Sequence, residues 1–228
     1  MGQSHSPHRA GAAPHAGGLA MSGQKDARAR SIAVLAAAYV AGLFAYPRLP
    51  GPFLADHVSS RVLVAFGLPT TALVIYTIFR SLWTHDRVRS GNGAFEATYA
   101  AIVFRCLLFV AGLHALVMIV LDSADIDRQL AMRAVVVMLG LTFVAIGNLL
   151  PRTRPNVAVG LRTKLTIANA QVWTQVHRIG GYVTVFWGIV IAIAAITLSG
   201  EVLGATIGSA GIAAVLIVCV SYFKHARA

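Results

Sequence analysis

The sequence keeps carboxylates out of its apolar stretches. All eight acidic residues, Asp26, Asp56, Asp86, Glu96, Asp122, Asp125, Asp127 and Glu201, fall outside the apolar runs, although Glu96 directly abuts one. Proton- and sodium-coupled transporters need a carboxylate at depth to take up and release the cation, so a coupled pump is disfavoured. Neither HExxH, GxSxG nor a pair of aspartates placed for hydrolysis occurs, and the expectation is a protein that is not an enzyme. Cysteine is scarce too: Cys106 and Cys219 sit in FRCLLF and LIVCVSYF without a CxxC pattern, which leaves no basis for a disulfide framework or a zinc site. Both read as buried apolar residues. His114 and His177 should differ in depth by about 20 Å on their helices, too far to share a haem iron, and no cofactor or metal is expected.

Charge is sparse: 12% of the 228 residues are charged against 57% hydrophobic, and the mean hydropathy is +0.72, so water is not the solvent for most of the chain. Six apolar segments stand out, at Ile32–Tyr46, Val62–Trp83, Ala97–Leu121, Leu130–Leu150, Gly180–Leu198 and Val202–Phe223. All but the first are long enough to cross a bilayer unaided, which takes about 20 apolar residues. The first follows Lys25, Arg28 and Arg30 and lacks a signal-peptidase site, so it reads as an uncleaved helix. The fold expected is an all-α polytopic bundle of six transmembrane helices.

A net charge of +11 raises the question of nucleic acid, but the cations sit in short segments between apolar runs, as membrane insertion requires. The side holding both termini and the second and fourth connectors has most of them, including Arg80, Arg87, Arg89, Arg152, Arg154, Arg162, Lys164 and Arg178; the other side has Arg48, Arg61, Arg128 and Arg133. The cation-rich side, with both termini, is therefore expected in the cytoplasm. Residues 1–30, rich in Gly, Ala, Ser and His, read as a disordered tail. Its histidines are too irregularly spaced for a metal site, its MGQSHS opening is a weak myristoylation pattern, and Met21 is an alternative start. Gly200, Gly204 and Gly208 recur every four residues and predict close packing inside the bundle, with a homo-oligomer interface as the alternative.

Arg105 lies about 12 Å into the third span, where a charge is costly, and is a functional candidate by default. The competing reading is that it snorkels towards the cytoplasm or caps a polar group such as Thr142. His114 falls on the opposite face of the same helix, so the two do not form one site.

The richest stretch is 147–181, GNLLPRTRPNVAVGLRTKLTIANAQVWTQVHRIGG. Pro151 ends the fourth helix, Pro155 keeps the loop from resuming it, and Gly160 permits a turn. A helix starting after Leu165 would stack Trp173 over His177 at i, i+4 and bring Gly181 onto the same face. One reading is that this segment only clamps two helices, with Asn148 and Asn156 satisfying backbone groups that the prolines leave open.

The run Gly147, Asn148, Pro151, Pro155, Asn156, Gly160, Arg162, Thr163, Trp173, His177, Arg178 and Gly181 resembles the pattern of the SdpI family of bacterial membrane proteins, named for an immunity protein against a secreted killing toxin. The likeness divides the chain into the tail, residues 31–95 with two helices, and an SdpI-like domain at 96–228. Upstream, Tyr46, Pro47, Leu49 and Pro50 are similar to a second family motif, from which this chain departs at Pro52 and His57. The resemblance implies a multi-pass protein of the bacterial cytoplasmic membrane that gives immunity to a toxin peptide or signals its presence. It also implies a cytoplasmic repressor held at the membrane, for which the basic loop 151–174 is the expected docking surface. The alternative is a binding or transport module for an anionic ligand or lipid headgroup.

Overall fold

The computed structural model describes residues 15–49, 58–90, 94–122, 126–156, 158–198 and 200–226. Seven helices are seen among them: α1 (His15–Ala45), α2 (Val58–Ser90), α3 (Ala94–Asp122), α4 (Arg128–Gly147), α5 (Lys164–Ala168), α6 (Ala170–Thr197) and α7 (Gly200–Ala226). All except the five-residue α5 are long and apolar enough to cross a membrane, and no strand occurs among the described residues. Large apolar side chains such as Phe44, Leu63, Ile196 and Val220 are about two-thirds exposed. Such a surface would be untenable in water and is ordinary against lipid.

Two helix starts differ most from the sequence expectation. α1 begins at His15, inside the segment read as tail, because its Ala-rich residues favour helix once propagation is under way. The first fourteen residues, Pro50, Pro52 and His57 lie outside the described ones. α6 begins at Ala170, ten residues before the apolar run at Gly180, with Asn169 as its N-cap: the Asn169 side-chain oxygen accepts from the N–H groups of Gln171 and Val172. The polar first turns of α6 hid this start from a hydropathy reading.

The helices pack in two groups, α1–α3 and α4 with α6 and α7, joined by α3 against α4. In the first group, α2 carries Pro69 in its interior, and the missing N–H frees the carbonyl of Ala65 one turn back. His114, fully buried on α3, donates from Nε2 to that carbonyl at 3.0 Å. Gly42 of α1 lies against the same carbonyl, where a Cβ would overlap it. One proline-freed oxygen thus fixes three helices at a point. Nearby Tyr46 stacks on Phe66 at 6.3 Å and Leu49 is buried beside Ala65 and Met118, so the upstream motif anchors the end of α1.

In the second group, α4 and α6 touch through two glycine pairs. A Cβ on Gly140 would meet the Gly188 carbonyl oxygen at 2.6 Å, and one on Gly188 would meet that of Gly140 at 2.7 Å. Gly147 and Gly181 repeat the arrangement at 2.9 and 2.8 Å. The seven-residue spacing on both helices is two turns, which keeps both contacts on one face. The stripe on α7 does not behave as expected: a Cβ on Gly200, Gly204 or Gly208 would meet nothing within 4 Å. α7 packs on α6, with Val218 lying over Gly180, and its glycine face is open. Cys106 is half-buried and Cys219, expected buried, is exposed on α7.

Leucine at Gly188 should therefore cost at least about 2 kcal/mol, since backbone on the facing helix cannot yield, whereas Gly204→Leu should leave thermal unfolding in detergent unchanged. Equal tolerance would contradict the pairing. His114→Leu should cost about 2 kcal/mol or more with Pro69 present, and at least about 1 kcal/mol less in a Pro69→Ala background, where residue 69 regains the N–H that reaches Ala65. Equal costs in the two backgrounds would refute that role.

Candidate functional site: the α4–α6 loop

The chain leaves α4 at Gly147, makes a single 3-10 turn over Leu150–Arg152, and crosses to α6 through an irregular segment and α5. Three side chains build this crossing. Asn156, almost fully buried, uses its whole hydrogen-bonding capacity on the loop backbone: Nδ2 donates to the carbonyls of Arg154 and Val159 at 2.7 and 3.1 Å, and Oδ1 accepts from the N–H groups of Ala158 and Val159 at 2.8 and 2.7 Å. Thr163 and Thr166 form a capping box that starts α5, and the Thr166 hydroxyl also donates to the Leu161 carbonyl at 2.8 Å.

His177 is the third. Its ring lies on that of Trp173 with centroids 3.9 Å apart and planes 14° from parallel. Nδ1 donates to the Trp173 carbonyl at 2.9 Å, and Nε2 accepts from the Leu161 N–H at 3.0 Å. These partners select the neutral ring with its proton on Nδ1. Gly160, at φ +105°, passes directly over Nε2, where a Cβ would overlap it, so both its conformation and its lack of a side chain are used. Trp173, fully buried, donates from Nε1 to the Thr153 carbonyl at 3.2 Å. The ring of Pro151 lies over Gly181, with Cδ 2.8 Å from where a Cβ would stand.

The expected stacking of Trp173, His177 and Gly181 along one helix face is present. Residues 152–221, from the loop through α6 and most of α7, match the SdpI/YfhL protein family. This segment belongs to the SdpI family. Comparison with curated proteins and with solved structures found no match.

Gly147, Asn148 and Pro151 lie just ahead of the matched SdpI segment. Apart from Pro155, half-buried at a bend of the loop, the motif residues separate into two sets. Gly147, Pro151, Asn156, Gly160, Thr163, Trp173, His177 and Gly181 make the loop and its seat on α6. Asn148, Arg162 and Arg178 are exposed, and their side chains make no hydrogen bond among the described residues. Among the described residues Asn148 therefore satisfies no loop backbone group, and Asn156 satisfies those of Arg154, Ala158 and Val159 rather than the carbonyls that Pro151 and Pro155 leave open four residues back. Arg152, Arg154 and Lys164 are also exposed, so the SdpI loop presents a cationic rim on a fixed scaffold.

Sequence reasoning missed the tip of this loop. Ala158 and Val159 pack against the α1–α3 cluster of Leu35, Ala72, Trp83, Tyr99, Val103 and Leu107, which ties the SdpI segment to the upstream helices. Thr153, Thr166 and Asn169 were also missed; Thr163-x-x-Thr166 and an Asn just before a helix are readable cap signals. Arg105 belongs to none of this: it donates to the Ala101 carbonyl of its own helix at 2.9 Å, one turn towards the helix start, which is the snorkelling arrangement. Thr142 bonds its own helix at Met138.

His177→Phe keeps the stacking and removes the acceptor, so the Leu161 amide should exchange with solvent about tenfold faster or more, while α4 and α6 stay protected. Amide exchange followed by mass spectrometry or NMR reads this, and unchanged Leu161 protection would contradict the bond.

Proposed function

We propose that this multi-pass membrane protein acts without catalysis as an SdpI-type immunity or signalling protein in the bacterial cytoplasmic membrane. It protects its cell from a secreted toxic peptide, or reports the peptide's presence, by holding a cytoplasmic partner on loop 151–174. In this reading the loop end of the bundle faces the cytoplasm, as its Lys and Arg content favours. The observation that carries it is the sorting of the motif: the buried members form a rigid scaffold, and the scaffold leaves Arg162 and Arg178 exposed with no hydrogen bond or ion pair among the described residues. Arginine held on rigid backbone recognises carboxylates or an acidic surface at little entropic cost, and the surrounding cations steer such a partner in. His177 and Trp173 act through the scaffold rather than by contact, since both are buried.

The Arg162→Ala, Arg178→Ala double variant should keep wild-type membrane levels and melting temperature, because both side chains are exposed. It should lower toxin survival, or the amount of cytoplasmic partner co-purified, by about tenfold or more, as for arginines central to an interface. Undiminished survival together with undiminished partner recovery would reject the proposal.

A further inference from the structure

A half-open cleft lies between α1, α2 and α3, walled by Tyr76, Trp83 and Tyr99 and edged by Arg28, Ser31 and Arg80. Helical spacing brings these groups together: Arg28 and Ser31 are i, i+3 on α1, and Tyr76, Arg80 and Trp83 are i, i+4, i+7 on α2. The cleft sits near one common end of the three crossing segments, Asp26–Arg48, Arg61–His85 and Ala97–Asp122. That is the depth at which lipid headgroups meet aromatic and cationic side chains.

Each arginine alone is explained by membrane insertion. Their convergence is not. Arg28 and Arg80, from different helices, border one cleft with no carboxylate among its described lining, and neither makes an ion pair or hydrogen bond among the described residues. Asp26, the nearest described carboxylate along α1, is exposed and pairs with neither. The Tyr76 hydroxyl likewise makes no hydrogen bond among the described residues. Like charges facing a partly desolvated space repel unless an anion lies between them. A phosphate group meets this demand, since each guanidinium offers it two parallel N–H donors and a tyrosine hydroxyl adds a third source.

We propose that this cleft binds a phosphate group, carried by an anionic lipid headgroup or by a soluble phosphate ester. The site is separate from the partner-holding loop and does not depend on that reading. It shares Trp83, Tyr99 and Val103 with the cluster on which Ala158 and Val159 rest, so the ligand sits beside the loop tip.

The full-length protein in detergent is titrated with phosphatidylglycerol, phosphatidylcholine and glycerol 3-phosphate, and bound species are counted by native mass spectrometry. Selective retention of phosphatidylglycerol identifies the lipid source; binding of glycerol 3-phosphate identifies the soluble one. The Arg28→Gln, Arg80→Gln variant should weaken binding of whichever ligand is retained by about 25-fold, at about fivefold per cation, while Arg80→Lys keeps most of it. Arg152→Gln, Arg154→Gln removes the same charge from the loop and should change binding by less than about twofold if the cleft rather than general charge attracts the ligand. Equal retention of the two lipids without glycerol 3-phosphate binding overturns the proposal, as do equal losses in the two double variants.

Discussion

A backbone carbonyl or N–H shut away from water, in the apolar interior of a bilayer or inside a folded loop, must find its partner within the chain. That constraint accounts for most of the buried polar side chains described here. His114 answers the carbonyl that Pro69 frees at Ala65. Asn156 takes up four groups of the irregular loop, and His177 takes the Leu161 N–H. At the far end, Arg133 donates to the Ile196 carbonyl in the last turn of α6 at 2.8 Å, and Arg105 uses a carbonyl of its own helix. Residues that a sequence reading offers as chemistry at depth are, in the fold, partners of the main chain.

Once those duties are assigned, what remains exposed gains meaning. Helix contact needs no polar side chain, because paired glycines let α4 and α6 meet backbone to backbone. The loop needs no charge, because Asn156, Thr163, Thr166 and His177 hold it. The cations at Arg152, Arg154, Arg162, Lys164 and Arg178 orient the chain in the membrane but make no side-chain hydrogen bond among the described residues, which leaves them available to whatever the loop meets. The rigid seat matters to such a role: a floppy basic loop would lose much of its attraction to the entropy of ordering.

The six helices and the stacking of Trp173 on His177 were legible because apolar length and i, i+4 spacing are local signals. Gly160 was legible as a turn, but its place over the His177 ring was not, since that contact joins residues about five helical turns apart in the chain, Gly160 and His177. Helix contacts were misread for a related reason. Gly200, Gly204 and Gly208 have the spacing of a packing face yet lie open, while the working pairs, Gly140 with Gly188 and Gly147 with Gly181, sit on different helices and show only when those are laid antiparallel. His114 illustrates the same limit: Pro69 announces a freed carbonyl, but nothing in the sequence says which helix answers it.

The arrangement of the loop rests on one imidazole used in one direction, with Nδ1 donating to Trp173 and Nε2 accepting from Leu161. Nitrogen-15 NMR of histidine-labelled protein reports this directly. His177 should show a protonated Nδ1 and an unprotonated, hydrogen-bonded Nε2, with a coupling across the bond to the Leu161 amide. A ring protonated on Nε2, or one averaging between tautomers as imidazole does in water, would contradict the loop as described.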